Sequence, residues 1–321
     1  MGMILAFLGN FTMVGIQNDW RWMLALGGAL PAIALPCLLM GLALESPRFL
    51  LMNGRQKEAE AALSALVDEE EAEETLAKWS GELKATKAVA AGFLGALWPE
   101  DRLVRKALFV GIGVLVFQLA SGVNLLSAYA GTVMASEVGP RNAHFAMMLI
   151  AVSRSLCCIP AVLLNDTWGR RPLLLASCTG MTIALVSLSA FYLSGLPVLP
   201  WKFVAFIFFI NSFSPGLGAV SYVYAGEVMD NSVRSKGLSV AIFLARMLAA
   251  VEVLAFPAVR DHLGEGGTFL ILAGFGVLTW FFLFFFAVET KGVKLESISL
   301  CFADGPSAGS CDDTAPESSH G

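Results

Sequence analysis

Eight long apolar runs set the terms for this chain, at roughly residues 3–17, 22–43, 107–135, 143–164, 172–194, 201–226, 238–259 and 268–287. About 20 helical residues cross roughly 30 Å of hydrocarbon, and most of these runs reach that length. Inside lipid every backbone N–H and C=O must find its partner within the chain, so the runs predict helices. Hydrophobic residues make up 56% of the 321, including 23 Phe, more than a soluble domain of this size buries. The expectation is an all-α polytopic membrane protein. The first run has no basic flank and no small-residue cleavage site before Trp20, so it reads as a helix and not as a signal peptide.

Charge placement gives an orientation. Fifteen of the 21 Lys and Arg lie in segments 44–106, 165–171, 227–237 and 288–321, and four lie in the alternate loops and their edges. The positive-inside pattern puts the first group, and both termini, in the cytoplasm. The net charge of −5 comes mostly from one acidic run and a polar tail, and it gives no reason to expect a nucleic-acid partner. Six Cys occur without a CxxC pair or a His cluster, so no metal site and no disulfide framework is expected. No nucleophile–base pair or phosphate loop stands out, and the chain does not read as an enzyme or as a holder of cofactors.

Residues 45–106 form the largest polar segment. Glu58 to Val67 has the pattern of an Ala-rich amphipathic helix, and the run from Asp68 to Glu74 reads as a solvated helix face. Leu76, Trp79 and Leu83 then recur on one side of a second helix. From Ala303 onward Ser, Gly, Asp and Pro predominate, which predicts disorder. The expected organisation is two helices in 1–44, a helical linker in 45–106, six helices in 107–290 and a tail in 291–321.

Inside the third run, Gln118, Ser121, Asn124 and Ser127 recur at every third position. On a continuous helix they would trace one slowly drifting polar stripe opposite Val, Leu and Ala. Such side chains are costly in lipid unless they face a cavity or another helix. Arg154 and Arg246 also fall inside runs, each at an insertion cost of roughly 2.5–3.5 kcal/mol at a helix centre. Glu252 lies six residues beyond Arg246, about 240° around the helix, so the two cannot pair on it.

Two ends echo each other: Glu45-Ser46-Pro47-Arg48 closes the second run and Glu289-Thr290-Lys291-Gly292 the eighth. Transporters built as two parallel six-helix halves carry weak symmetry of this kind. Together with Trp20-Arg21-Trp22-Met23, Gln118 to Asn124, Asp166-Thr167-Trp168-Gly169-Arg170-Arg171, and Glu227 with Arg234, these stretches resemble, in order, the sugar porter family of the major facilitator superfamily. That family includes glucose facilitators and proton–sugar symporters. The resemblance implies the major facilitator fold lacking its first four helices, with eight transmembrane helices equivalent to the fifth through twelfth. It implies sugar or polyol transport by alternating access, with a sugar-like solute and H+ as partners and the bilayer as surroundings.

The resemblance also assigns sites. Gln118 and Asn124 match sugar-contacting positions of the family's seventh helix, with Ser121 between them. Tyr222 stands where the family has Trp, Arg154 where it has Asn, and Arg246 takes the place of another Trp. Glu45, Arg48, Asp166, Arg170, Arg171, Glu227, Arg234 and Glu289 would form ion pairs that hold the cytoplasmic side shut. Glu252 is the candidate proton carrier. The organic ion transporter family resembles the chain at Glu227, Arg234 and Arg246 and lacks the Gln118–Asn124 stretch. It supplies the alternative of an anion carrier using Arg154 and Arg246. A third reading is a fragment or sensor that does not transport.

Overall fold

The computed structural model describes residues 18–40, 45–88, 98–195, 199–230 and 233–292, with a few positions between 6 and 13. All described secondary structure is helical. The first run and the tail beyond residue 292 lie almost entirely outside the described residues. The chain divides into two compact units, one of residues 12–92 and one of 93–321 together with 1–11.

In the 12–92 unit, α1 (Asp19–Leu39) turns Leu24, Ile33, Leu35 and Leu39 outward, as a helix in hydrocarbon does. The short helices α2 (Pro47–Met52) and α3 (Gln56–Ser64) pack with α4 (Glu69–Ala88) around Leu50, Ala59, Leu63, Ala72 and Leu76. Ala72, Leu76 and Trp79 lie at spacings of four and three, which puts them on one face of α4, while Glu73 and Glu74 stay exposed. Of the expected face, Leu76 and Trp79 are in place, and the Leu83 side chain lies outside the described residues.

The larger unit holds α5 (Arg102–Ala120), α6 (Val123–Val138), α7 (Pro140–Trp168), α8 (Arg170–Leu193), α9 (Leu199–Phe213), a π-helical turn (Ser214–Gly218), α10 (Val220–Val228) and α11 (Arg234–Phe286). Among the described residues four stretches are long and apolar enough to cross a membrane: 102–133, 170–193, 200–228 and 234–286. The last contains two of the runs, joined at Gly264, whose φ of 69° breaks the helical backbone between two limbs.

The third run also breaks, which corrects the single polar stripe. Gly122 adopts φ 77°, ending α5 and starting α6, so Gln118 and Asn124 sit on different helices. Glycine suits the site twice over: L side chains avoid that φ, and an added Cβ would lie 2.8 Å from the Leu272 side chain. α5 is clasped by α10 and both limbs of α11. Gly111 admits Met229, Leu108 meets Gly237, and Gly113 admits the Phe282 ring. α8 packs between α9 and the second limb of α11, where Cys178 Sγ donates to the Gly276 carbonyl.

Candidate functional site

Two polar constructions stand out in the larger unit. The first is where helices break. Gln118 Nε2 donates at 2.7 Å to the carbonyl of Leu217, which lies within the π turn. Ser177 Oγ donates to the Ser212 carbonyl and accepts from the Leu217 amide at 3.0 Å, fastening the same turn to α8. Gln118 is 2% exposed, and its Oε1 has no partner among the described residues. One arm of the amide is thus structural and the other remains an acceptor.

Its predicted companions fare differently. Ser121 is buried, and its hydroxyl donates to the Gln118 carbonyl at 2.6 Å, closing the end of α5. Asn124 is half-buried on the first turn of α6, with no hydrogen bond among the described residues. Ser127 bonds back to the Val123 carbonyl. Tyr222 is exposed on α10, whereas Tyr224, two residues on, is fully buried. The Tyr224 hydroxyl accepts from the Val288 amide at 3.0 Å. That clamp was not foreseen, because a tyrosine in an apolar run gives no sign of which partner its hydroxyl will find.

The arginines separate. Arg154 is half-buried on α7, its guanidinium 5.6 Å from the centre of the Phe213 ring, and it lines a cavity of ≈ 90 Å³ between α6, α7 and α9. Such a contact contributes about 0.5–2 kcal/mol, short of the roughly 2.5–3.5 kcal/mol that a central arginine costs on insertion. Next to it, Ser153 Oγ accepts from Asn211 Nδ2 at 2.5 Å, and Asn211 Oδ1 is buried without a partner. Arg246 is exposed on α11. Glu252 is half-buried with Oε2 unpartnered, and no ion pair joins it to either arginine among the described residues.

The second construction brings together Arg170, Arg171, Glu227 and Glu289, four of the eight residues expected to form ion pairs. Glu289 follows α11 and sits against the start of α8, its two oxygens accepting from the Arg170 and Arg171 amides at 2.9 and 3.0 Å. A carboxylate there satisfies amides that have no intrahelical partner and opposes the positive end of the helix dipole. Gly169 makes room, with φ 92° and a notional Cβ 2.8 Å from Glu289 Oε2. Arg170 reaches across to Glu227 at 3.0 Å, both side chains less than one-fifth exposed. Thr290 Oγ1 donates to the other Glu227 oxygen at 2.6 Å. Arg171 donates to the Phe284 carbonyl, Arg234 to the Met229 carbonyl, and Lys291 to the Thr167 carbonyl. The cluster ties together the ends of α7, α8, α10 and α11.

The Asp166 side chain lies outside the described residues. In the 12–92 unit, Glu45 pairs with Arg55 at 3.5 Å, and Arg48 lies 5.9 Å from the centre of the Trp79 ring. Arg55 also grips Glu58, and this bond holds the Glu58 carboxyl below the usual carboxylate range.

Comparison with known proteins gives this architecture its place. The profile described as "Sugar (and other) transporter" matches residues 1–302. A probable metabolite transport protein, CsbC of Bacillus subtilis, is 30% identical over 303 residues, covering 92% of this chain and 64% of that protein. A putative polyol transporter 2 of Arabidopsis thaliana is 30% identical over 333 residues, covering 94% and 64%. Among solved structures, the proton:xylose symporter XylE bound to 6-bromo-6-deoxy-D-glucose superposes with a TM-score of 0.76 at 24% identity, covering 93% of this chain and 64% of that one. Inward-open XylE from E. coli gives 0.70 at 23%, covering 92% and 62%. The chain thus spans just under two thirds of the length of these relatives. On the profile match over residues 1–302, it belongs to the sugar (and other) transporter family.

Proposed function

We propose that the chain carries a sugar or polyol across a bilayer by alternating access. The observation that carries this reading is the buried Gln118, one amide arm fixed to the π turn at Leu217 and the other unpartnered, where two membrane-length stretches depart from regular helix. Polar groups at broken helices near mid-membrane are how such carriers hold solute. Amides and hydroxyls suit an uncharged, hydroxyl-rich ligand, because they give directional hydrogen bonds without demanding a counterion. Family membership and the relatives' names, polyol transporter and proton:xylose symporter, point the same way.

In this reading residues 107–290 are one six-helix half, 1–44 supply two helices of the other, and 45–106 link them, with both termini cytoplasmic. Gln118, Ser121, Asn124 and Tyr222, with Arg154 and Arg246, line the path. The Arg170–Glu227 and Glu289 cluster, with Arg171 and Arg234 beside it, latches the cytoplasmic side. Glu252, a carboxylate without a cationic partner among the described residues, is the proton carrier if transport is coupled. Uptake of labelled hexoses, pentoses and hexitols into liposomes holding the chain, with and without a pH gradient, tests the proposal. Saturable uptake of one class supports it, and its dependence on the gradient decides the coupling. Uptake no faster than empty liposomes for every class removes it.

A further inference from the structure

We infer that an exposed groove of the larger unit binds an anionic diacyl phospholipid, one acyl chain lying between α8 and the second limb of α11 and the phosphate resting at Arg171. The site requires only that the chain lie in a bilayer, and it is independent of which solute is carried.

Thr179, Thr182, Ile183, Val277, Trp280 and Phe281 line a groove of ≈ 240 Å³. Both of its walls belong to membrane-length stretches, and Ile183, Val277 and Phe281 are exposed along it. The two threonines spend their hydroxyl protons within α8, Thr179 on the Leu175 carbonyl and Thr182 on that of Cys178. Thr179 Oγ1 also accepts from Trp280 Nε1 at 3.1 Å, which fixes the indole as a wall. The groove therefore offers apolar surface and little directional hydrogen bonding, which suits hydrocarbon and not a sugar.

An aromatic ladder joins this groove to a cationic end. Trp280 stacks on Phe284 with ring centres 5.1 Å apart and planes 9° apart. The Arg171 guanidinium lies 5.8 Å from the centre of the Phe284 ring and donates to the Phe284 carbonyl at 2.9 Å. Exposed Lys291 is held at the same helix end by the Thr167 carbonyl. The acids of the cluster, Glu227 and Glu289, are turned to Arg170 and to the α8 amides. Lys and Arg at a membrane surface draw anionic lipid. Depth selects the kind of molecule. Thr179 lies eight residues beyond Arg171, about 12 Å along the helix. Half the hydrocarbon is about 15 Å thick, so a guanidinium at its surface sets the groove at the depth of acyl chains. A free phosphate would meet the cations alone and a sterol the groove alone, whereas an anionic phospholipid meets both.

The test is photolabelling of the detergent-solubilised chain by a phosphatidylglycerol carrying a diazirine on one acyl chain, with the labelled peptides mapped by mass spectrometry. Label is expected on both walls, in 179–183 and 277–281. Unlabelled phosphatidylglycerol should compete about fivefold better than phosphatidylcholine of the same chains. Trp280→Leu lowers the labelling of the groove, and Arg171→Gln brings the two competitors together. The comparison of competitors needs no variant, so it decides the matter even if Arg171→Gln fails to fold. Label spread evenly over the apolar surface overturns the inference. So does phosphatidylcholine, a sterol or glycerol phosphate competing as well as phosphatidylglycerol. None of these readouts involves uptake, so the transport reading stands or falls separately.

Discussion

Gln118 Nε2 donates to the carbonyl of Leu217, 99 positions further along the chain, across 2.7 Å. The bond joins the end of α5 to the one described π turn, so each irregularity depends on the other. A π turn releases carbonyls from regular pairing, and a buried amide is among the few side chains able to satisfy one in an apolar interior. The same residue therefore stabilises the fold and keeps one acceptor, its Oε1, without a partner among the described residues.

Replacing Gln118 should show both roles. Gln118→Ala removes the side-chain donor to the Leu217 carbonyl and opens a void, at a cost of about 1–3 kcal/mol. Gln118→Glu keeps the shape but loses the amide donor. Thermal unfolding in detergent should fall for both, and by more than for Ser127→Ala, whose hydroxyl bonds only within its own helix.

Glycine at 169 is required by conformation and by space. Gly169→Ala places a methyl against the Glu289 carboxylate at a φ that L side chains avoid, at a cost of about 1–3 kcal/mol. Gly226→Ala, with nothing within 4 Å of its notional Cβ and a helical backbone, should be neutral or slightly stabilising. Melting curves of the two variants side by side would check this contrast.

The Arg170–Glu227 pair is a test of coupling. Single neutral replacements leave a partly buried charge alone, so each should cost more than the double replacement implies. A cycle over Arg170→Gln and Glu227→Gln should return a coupling of about 1–3 kcal/mol, since both side chains are largely withdrawn from water. In the transport reading the same variants raise the rate at which the cytoplasmic side opens, measured by labelling of a cysteine placed behind the latch.

The exposed triad Glu45–Arg55–Glu58 should matter little to stability. Arg55 lowers the Glu58 carboxyl, so the pair's contribution is present above the ordinary carboxylate pKa and is lost as pH falls through the lowered folded value. Between pH 6 and 8 the unfolding of the wild type and of Arg55→Ala should run parallel, whereas Leu76→Ala, which empties part of the α4 core, should cost about 2–5 kcal/mol.

The sequence made some of this visible and hid the rest for physical reasons. Apolar run length announced the membrane-length helices, because hydrocarbon thickness sets it directly. The acids and bases at the helix ends were legible because they sit beside glycine and threonine, and the structure brings Arg170, Glu227 and Glu289 into one cluster. Partner choice was not legible: Glu289 addresses two backbone amides, and pairing of side chains alone would not suggest that. The break at Gly122 was missed because glycine in an apolar run reads equally well as a packing residue. The side chain that crowds it, Leu272, lies 150 positions away. The π turn contains Pro215, Gly216 and Gly218, which mark a break in the sequence, but its ties to Gln118 and Ser177 exist only once the bundle has formed.

The most direct test of the central claim is entrance counterflow of a labelled hexitol into liposomes preloaded with the unlabelled compound, comparing the chain with Gln118→Ala. The account predicts a transient overshoot of label for the parent and a loss of at least tenfold in its initial rate for the variant. Counterflow of equal size in both, or label that never exceeds the level of empty liposomes, would contradict it.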